Sequence, residues 1–243
     1  MLEFRNRILK SLPQESLALI AEDLEEVALP VRKSLVEPTE KTQFVYFLED
    51  GLASVVADTQ NTGKQNENKQ IEIGHIGFEG MSGFHLVLGV DRTPVRTFMQ
   101  VAGRGLCLSA EHLTRAMGQD EKLKAHLLRY IQTYQLQLAY SALANARYTI
   151  PERLARWLLM CHDRLGNGPM RLTHEFLALM LGVRRSGVTN EIHILEGNKA
   201  IRATRATILI LNRGKLEEMA GGIYGVPEIE YARLIEEVGT LEL

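Results

Sequence analysis

The stretch Leu172-Thr-His-Glu-Phe-Leu-Ala-Leu-Met-Leu-Gly-Val-Arg-Arg-Ser-Gly-Val-Thr-Asn-Glu-Ile-His-Ile-Leu195 carries most of what this chain says about itself. Thr173 has the side chain of a helix N-cap, and Phe176, Leu177, Met180 and Leu181 form the apolar face of a short helix that stops at Gly182. A left-handed backbone costs glycine little, so Gly182 suits a tight turn between two helices, with Val183 as its buried residue. The second helix is predicted from about Arg185 to Glu196 and buries Val188, Ile192 and Leu195. Its opposite side then carries Arg184, Arg185, Ser186, Thr189, Asn190 and His193, with no acid among them. A helix of that kind suits the major groove of double-stranded DNA. Arg185, Ser186 and Asn190 are expected at base edges, since an arginine can donate two hydrogen bonds to guanine and an asparagine can pair with adenine. Arg184, Thr189 and His193, with Thr173 at the first helix, are expected to fix position on the phosphates.

Downstream, Ile201-Arg-Ala and Thr207-Ile-Leu-Ile-Leu predict two short strands around the turn Thr204-Arg-Ala. A helix pair followed by a hairpin is a winged helix-turn-helix, with Arg202 and Arg205 of the wing on the phosphate backbone. Gly187 and Gly197 weaken the second helix slightly, by about 1 kcal/mol each relative to alanine if interior. Upstream, Pro151 ends one helix or begins the next, and Leu154, Trp157, Leu158 and Cys161 share one side of a helix over 152–164. Before that, Leu123, Leu127, Tyr130 or Ile131, Tyr134 and Leu138 recur every three or four residues, which predicts one long helix of roughly 25 residues. Such a stripe either covers a neighbouring domain or pairs with the same helix of a second subunit.

The first 117 residues look different. Residues 6–26 hold apolar positions at helical spacing broken by Pro13, predicting two short helices. From Val31 onward the runs are short and β-rich. Residues 42–48 and 52–57, separated by Glu49-Asp-Gly, predict a hairpin, and strands resume at 70–74, 95–101 and 105–108. Residues 61–69 are polar and read as a loop tip. Several short strands at close spacing imply an antiparallel barrel or roll.

Charge follows the same division. Of the 243 residues, 1–150 carry 16 Lys/Arg against 18 Asp/Glu, 151–222 carry 11 against 7, and 223–243 carry 1 against 5. A basic segment in an otherwise acidic chain is expected of a nucleic-acid-binding module. Cys107 and Cys161 are far apart and sit in no CxxC or Cys/His cluster, so both are expected to be buried thiols, with no disulfide, metal or cofactor. No apolar run approaches a membrane span and the start lacks the apolar block of a secretion signal, which predicts a cytoplasmic protein without membrane contact.

With these pieces in order, residues 1 to about 222 resemble the Crp/Fnr family, most specifically in Val45-Tyr-Phe-Leu-Glu-Asp-Gly-Leu-Ala-Ser-Val-Val and in 172–195. The resemblance implies an α+β chain: a cyclic-nucleotide-binding-like β-roll sensor over 1–117, a dimerisation helix over 118–147 and a winged helix-turn-helix over 148–222; the charge count adds an acidic tail over 223–243. It also implies a homodimer on a two-fold symmetric operator, contact with RNA polymerase, transcription regulation and no enzyme activity. Arg185 matches the family's guanine-reading arginine, but Ser186 replaces the usual acid and Asn190 a second arginine. The effector cassette would fall on Glu79, Gly80, Met81, Arg92 and Thr93. Glu79 precedes its glycine instead of following it, Pro94 replaces an alanine, and the adenine-side hydroxyls fall on Leu138 and Ala139. The effector is therefore unknown and not expected to be cyclic AMP. His75, His85 and His112 lack the spacing of a haem or metal set. Two other readings compete: a cupin-like metal enzyme on the β-barrel, and a protein-interaction module that never binds DNA. The tail is expected to form a short helix around Ile229 to Val238, folded back on the sensor or on the basic face.

Overall fold

Asn6 shows how the start of the chain is held. It is fully buried; its Oδ1 accepts from the Leu9 amide at 3.2 Å, and its Nδ2 donates to the carbonyls of Leu48 at 2.9 Å and Gly80 at 2.8 Å. One side chain thus caps the first helix and ties it to two distant points of the chain. The computed structural model describes residues 4–58, 70–166, 168–204 and 206–237, without the side chains of Arg185 and Ser186. The expected loop tip at 61–69 lies outside the described residues.

Helices α1 (Arg7–Lys10) and α2 (Gln14–Ala21) flank Pro13 as the sequence predicts. Seven strands follow: β1 (Glu25–Leu29), β2 (Ser34–Val36), β3 (Phe44–Leu48), β4 (Leu52–Asp58), β5 (Gln70–Ile76), β6 (Arg96–Val101) and β7 (Gly103–Ser109), with a 3-10 turn over Phe84–Leu88. They form two antiparallel sheets, in the orders β1-β7-β3 and β2-β6-β4-β5. The roll is as expected, but the hairpin is not. β3 pairs with β7, β4 pairs with β5 and β6, and the turn at Gly51, with φ +83°, carries the chain from one sheet to the other. β4 is buried continuously from Leu52 to Val56, while β3 turns Phe44 and Tyr46 outward and Val45 and Phe47 inward, so the two strands belong to facing sheets that share a core. Leu29, Leu48, Ala53, Val55, Ile76 and Met99 fill part of the roll.

Helix α3 (Ala110–Gln119), whose residues the sequence assigns to the roll, continues from β7 and is capped by Ser109. Asp120 stops it with an extended backbone, and its side chain accepts from Lys122 N at 2.8 Å to start α4 (Glu121–Arg147). The long helix is real, at 27 residues. The stripe that identified it faces inward: Leu123, Leu127, Tyr130, Ile131 and Tyr134 are buried against the same chain's N-terminal helices and sheets. Of the two roles left open for that stripe, it therefore covers the roll.

Helix α5 (Ile150–Leu165) begins with Pro151 in its first turn and a capping box in which the Thr149 amide donates to Glu152 Oε2 at 2.7 Å. Its neighbours are α6 (His174–Leu181), α7 (Arg185–Gly197), β8 (Ile201–Thr204), β9 (Thr207–Ile210) and α8 (Arg213–Met219). Leu154, Leu158, Leu177, Leu181, Ile192, Leu195 and Leu216 share one core there. Each such side chain is worth about 1.5–3 kcal/mol of apolar burial. The chain then forms α9 (Val226–Tyr231), prolonged by a π-helical turn over Ala232–Glu237. Tyr231 and Ile235 are buried among Ile8, Leu9 and Leu127, so the tail folds back on the sensor side; Val238 lies outside the described residues. Cys161 is buried as expected, whereas Cys107 on β7 is only half-buried, because its strand turns that side chain partly toward solvent.

Candidate nucleic-acid interface

The turn between α6 and α7 follows from local chemistry. Thr173 Oγ1 accepts from Phe176 N at 3.3 Å and caps α6. At the other end Gly182 has φ +62°, the Gly182 amide donates to Leu179 O at 3.3 Å and the Val183 amide to Ala178 O at 3.1 Å. That pair of bonds is a Schellman stop, which turns the chain before α7 can begin. Val183 is partly buried against the core of this region. Val188, Ile192 and Leu195 are buried, as the spacing predicts.

The outer side of α7 is polar. Arg184 stands exposed at its N-cap, Asn190 is exposed, and His193 is 70% exposed. Arg185 and Ser186 lie in the first turn of α7 by backbone; their side chains are outside the described set. Thr189 differs from expectation: it is half-buried and its hydroxyl meets His174 Nδ1 at 3.2 Å, so it helps hold α7 to α6. The face is also less free of acid than the sequence suggests. Glu196 comes within 3.5 Å of His193, while its Oε1 accepts from Ala203 N at 2.7 Å and so anchors the first wing strand.

Strands β8 and β9 pair antiparallel from Ile201↔Ile210 to Thr204↔Thr207. Arg202 is exposed on β8; Arg205 lies outside the described residues. A feature the sequence reading missed is the bridge Met170↔Ile208, in which each residue's amide bonds the other's carbonyl, at 2.8 and 2.9 Å. It seats the wing beside α6. Met170 sits in no recognisable strand pattern, so no sequence signal announced it.

The expected effector cassette does not assemble. Glu79 is buried and its Oε1 accepts from Arg164 Nε of α5 at 2.6 Å, while its Oε2 accepts from the Gly77 amide at 3.0 Å. The Gly80 carbonyl is taken by Asn6, and Met81 is a fully buried core residue whose amide donates to the Tyr130 hydroxyl at 3.2 Å. Arg92 is exposed and pairs with its neighbour Asp91 at 3.1 Å, and Thr93 accepts from Val95 N. Glu79 is committed to a buried ion pair and Arg92 to a surface one, so the two are not brought together on a shared ligand position.

A second polar cluster joins the roll to α5. Trp157 Nε1 donates to Glu72 Oε1 at 2.8 Å, and His75 Nδ1 lies 3.3 Å from the same oxygen. Burial pushes the Glu72 carboxyl up to about 8, against the smaller opposing pull of its hydrogen bonds and of Arg164 and Arg156. Burial also holds the His75 imidazole neutral, well below its ordinary range, with Arg164 and Arg156 adding to the effect. His85 meets Thr42 at 2.9 Å and His112 meets the Leu19 carbonyl at 3.1 Å. Among the described residues no three His, Cys, Asp or Glu converge as a metal site, and no described helix is long and apolar enough to cross a membrane.

With this geometry in hand, residues 152–219 match the family described as the Crp-like helix-turn-helix domain. No curated protein matches the chain. Among solved structures, it is similar to FixK2 from Bradyrhizobium japonicum, at 16% identity and a TM-score of 0.69 over 81% of this chain and 96% of that one. It is also similar to a CRP-family transcriptional regulator from Thermus thermophilus, at 20% identity and a TM-score of 0.63 over 81% and 96%. A third is CLP of Xanthomonas campestris, a regulator described as responsive to c-di-GMP, at 16% identity and a TM-score of 0.62 over 82% and 99%. At these identities the likeness speaks for the fold. The chain has the fold of the Crp/Fnr transcription regulators and carries, over residues 152–219, a Crp-like helix-turn-helix DNA-binding domain.

Proposed function

We infer that the protein is a sequence-specific DNA-binding transcription regulator that acts as a homodimer on a two-fold symmetric operator, under an effector other than cyclic AMP. The observation that carries this reading is the α6–Gly182–α7 pair beside a short wing, with the polar side of α7 turned to solvent. Helix α7 enters the major groove. Arg185, Ser186 and Asn190 contact base edges, and Arg184 and His193, with Arg202 and Arg205 of the wing, contact phosphates. Thr173 and Thr189 act through the helices they fix.

Dimerisation is supported by the side of α4 that its own chain leaves uncovered. Leu128, Gln132, Gln135, Ala139, Ala142, Leu143 and Ala146 are exposed there, with Leu143 at 43%. Leucines and alanines recur over these five turns, interrupted by Gln132 and Gln135, and suit the close approach of a second α4. Two α7 helices about one DNA turn apart, roughly 34 Å, then meet successive major grooves.

The test is a comparison of specific and random DNA. Arg185→Ala is expected to lower operator affinity by about 10- to 100-fold while leaving random DNA nearly unchanged, since a good bidentate base contact is worth about 1–3 kcal/mol. Arg202→Ala is expected to weaken both DNAs alike and to flatten the salt dependence by about one phosphate contact. Equal losses on both DNAs for both variants would remove the assignment.

A further inference from the structure

Between the roll and α5 lies a cavity of about 410 Å³, a volume typical of small-ligand sites. Its walls come from Arg7 of α1, from the segment after β5, from α4 and α5, from Arg213 of α8 and from the residues leading into and through α9. It is distinct from the expected effector cassette, with which it shares only Glu79.

The lining has two properties. First, its charged side chains are already engaged, with Glu79 and Arg164 both buried. Glu79 holds Arg164 at 2.6 Å, Asp163 holds Arg213 at 2.8 Å, Arg7 holds Glu236 at 3.1 Å, and the partly exposed Glu228 accepts from the Gly225 amide at 3.1 Å. His162 is held neutral, mainly by burial and also by Arg213, and Arg213 Nη1 lies 3.1 Å from its Nδ1. A charged ligand would have to compete with these partners, and breaking the buried Glu79–Arg164 pair costs several kcal/mol. Second, five aromatic rings line it: Phe78, Tyr130, Tyr134, Tyr224 and Tyr231. Four rings leave no hydroxyl to offer, because Phe78 has none, Tyr130 bonds the Met81 backbone, Tyr224 bonds Asp163 and Tyr231 bonds the Glu79 carbonyl at 2.5 Å. The Tyr134 hydroxyl is fully buried beside Gly74 of β5, so it too offers no donor to a ligand.

We propose that this interdomain cavity binds an uncharged, planar aromatic molecule of bicyclic or tricyclic size. The rings offer stacking and edge contacts to such a molecule, which leaves the ion pairs in place. A ligand touching α4 and α5 together bridges the sensor to the unit that holds α6 and α7. Occupancy shifts DNA affinity to the extent that the ligand prefers one arrangement of the two. That regulatory meaning rests on the DNA-binding reading above, whereas the binding test uses no DNA and stands apart from it.

N-phenyl-1-naphthylamine is uncharged and brightens on leaving water, so it serves as the probe when titrated into the full chain. Saturable binding of one probe per chain is expected, and 1-naphthalenesulfonate should compete at least about 10-fold more weakly than uncharged 1-acetonaphthone. Thr133→Phe fills the cavity from α4 and Pro227→Phe fills it from the tail, and either variant that retains native circular dichroism should lose at least about 10-fold in affinity. No saturable binding up to about 100 µM, unchanged binding in the filled variants, or equal competition by the sulfonate would overturn the proposal.

Discussion

At the scale of single residues, two positions carry more of the fold than their size suggests. Asn6 supplies a helix cap and two carbonyl partners from full burial, so Asn6→Ala leaves the Leu48 and Gly80 carbonyls without those donors. Unmet buried polar groups cost about 1–3 kcal/mol each, and thermal or denaturant unfolding of the variant should show a loss of about 2–4 kcal/mol. Gly182 is the second. A Cβ there would meet Ile71 Cδ1 at 3.2 Å, which a flexible tip can relieve, but φ +62° would remain. Gly182→Ala should therefore cost about 1–2 kcal/mol from backbone strain, seen as a matching drop in unfolding free energy. Gly182 was legible in the sequence because everything that defines it lies within a few residues. Asn6 was not: its partners are 42 and 74 positions away, and an asparagine near a chain start carries no signal of that.

Elements divide along the same line. The α6–α7 pair, the long α4 and the capped α5 were readable because apolar spacing and caps are local. β1 was missed because only Leu29 among its five residues is buried, and the false β3–β4 hairpin arose because a turn signal does not say whether the flanking strands pair or part into facing sheets. The ion pair of Glu79 could not be foreseen either, since Arg164 lies 85 residues away. The α4 stripe was found but belongs to the roll, and the proposed dimer uses the opposite side of the helix. Leu143→Glu places a charge in that uncovered side without touching the inward stripe. It should weaken self-association by about 100-fold, roughly 2.7 kcal/mol, so that sedimentation shows a species near 27.3 kDa where the unaltered chain is dimeric.

Across the whole molecule, the roll and the DNA-binding unit are joined by buried polar chemistry, and this makes stability depend on pH. Glu72 binds its proton more tightly folded, near 8, than at its ordinary value of 4.5, so its contribution is complete below about 4.5 and lost as pH rises through about 8. His75 acts oppositely: burial depresses its value below 6.5, so its contribution is present above 6.5 and lost as pH falls. Between about 6.5 and 8, of this pair only the carboxyl titrates, and stability should fall by up to about 1.4 kcal/mol per pH unit. Glu72→Gln should remove that slope in denaturant titrations, and a slope unchanged by the substitution would show that another group causes it.

The central claim is that the polar side of α7 recognises a DNA sequence. The most direct measurement is a selection of bound sequences from random double-stranded DNA by the purified full chain, followed by affinity against salt for the enriched motif. The account predicts a two-fold symmetric motif with half-sites about 10 base pairs apart and affinity that falls steeply as salt rises. Absence of any enriched motif, together with affinity indifferent to salt, would contradict it.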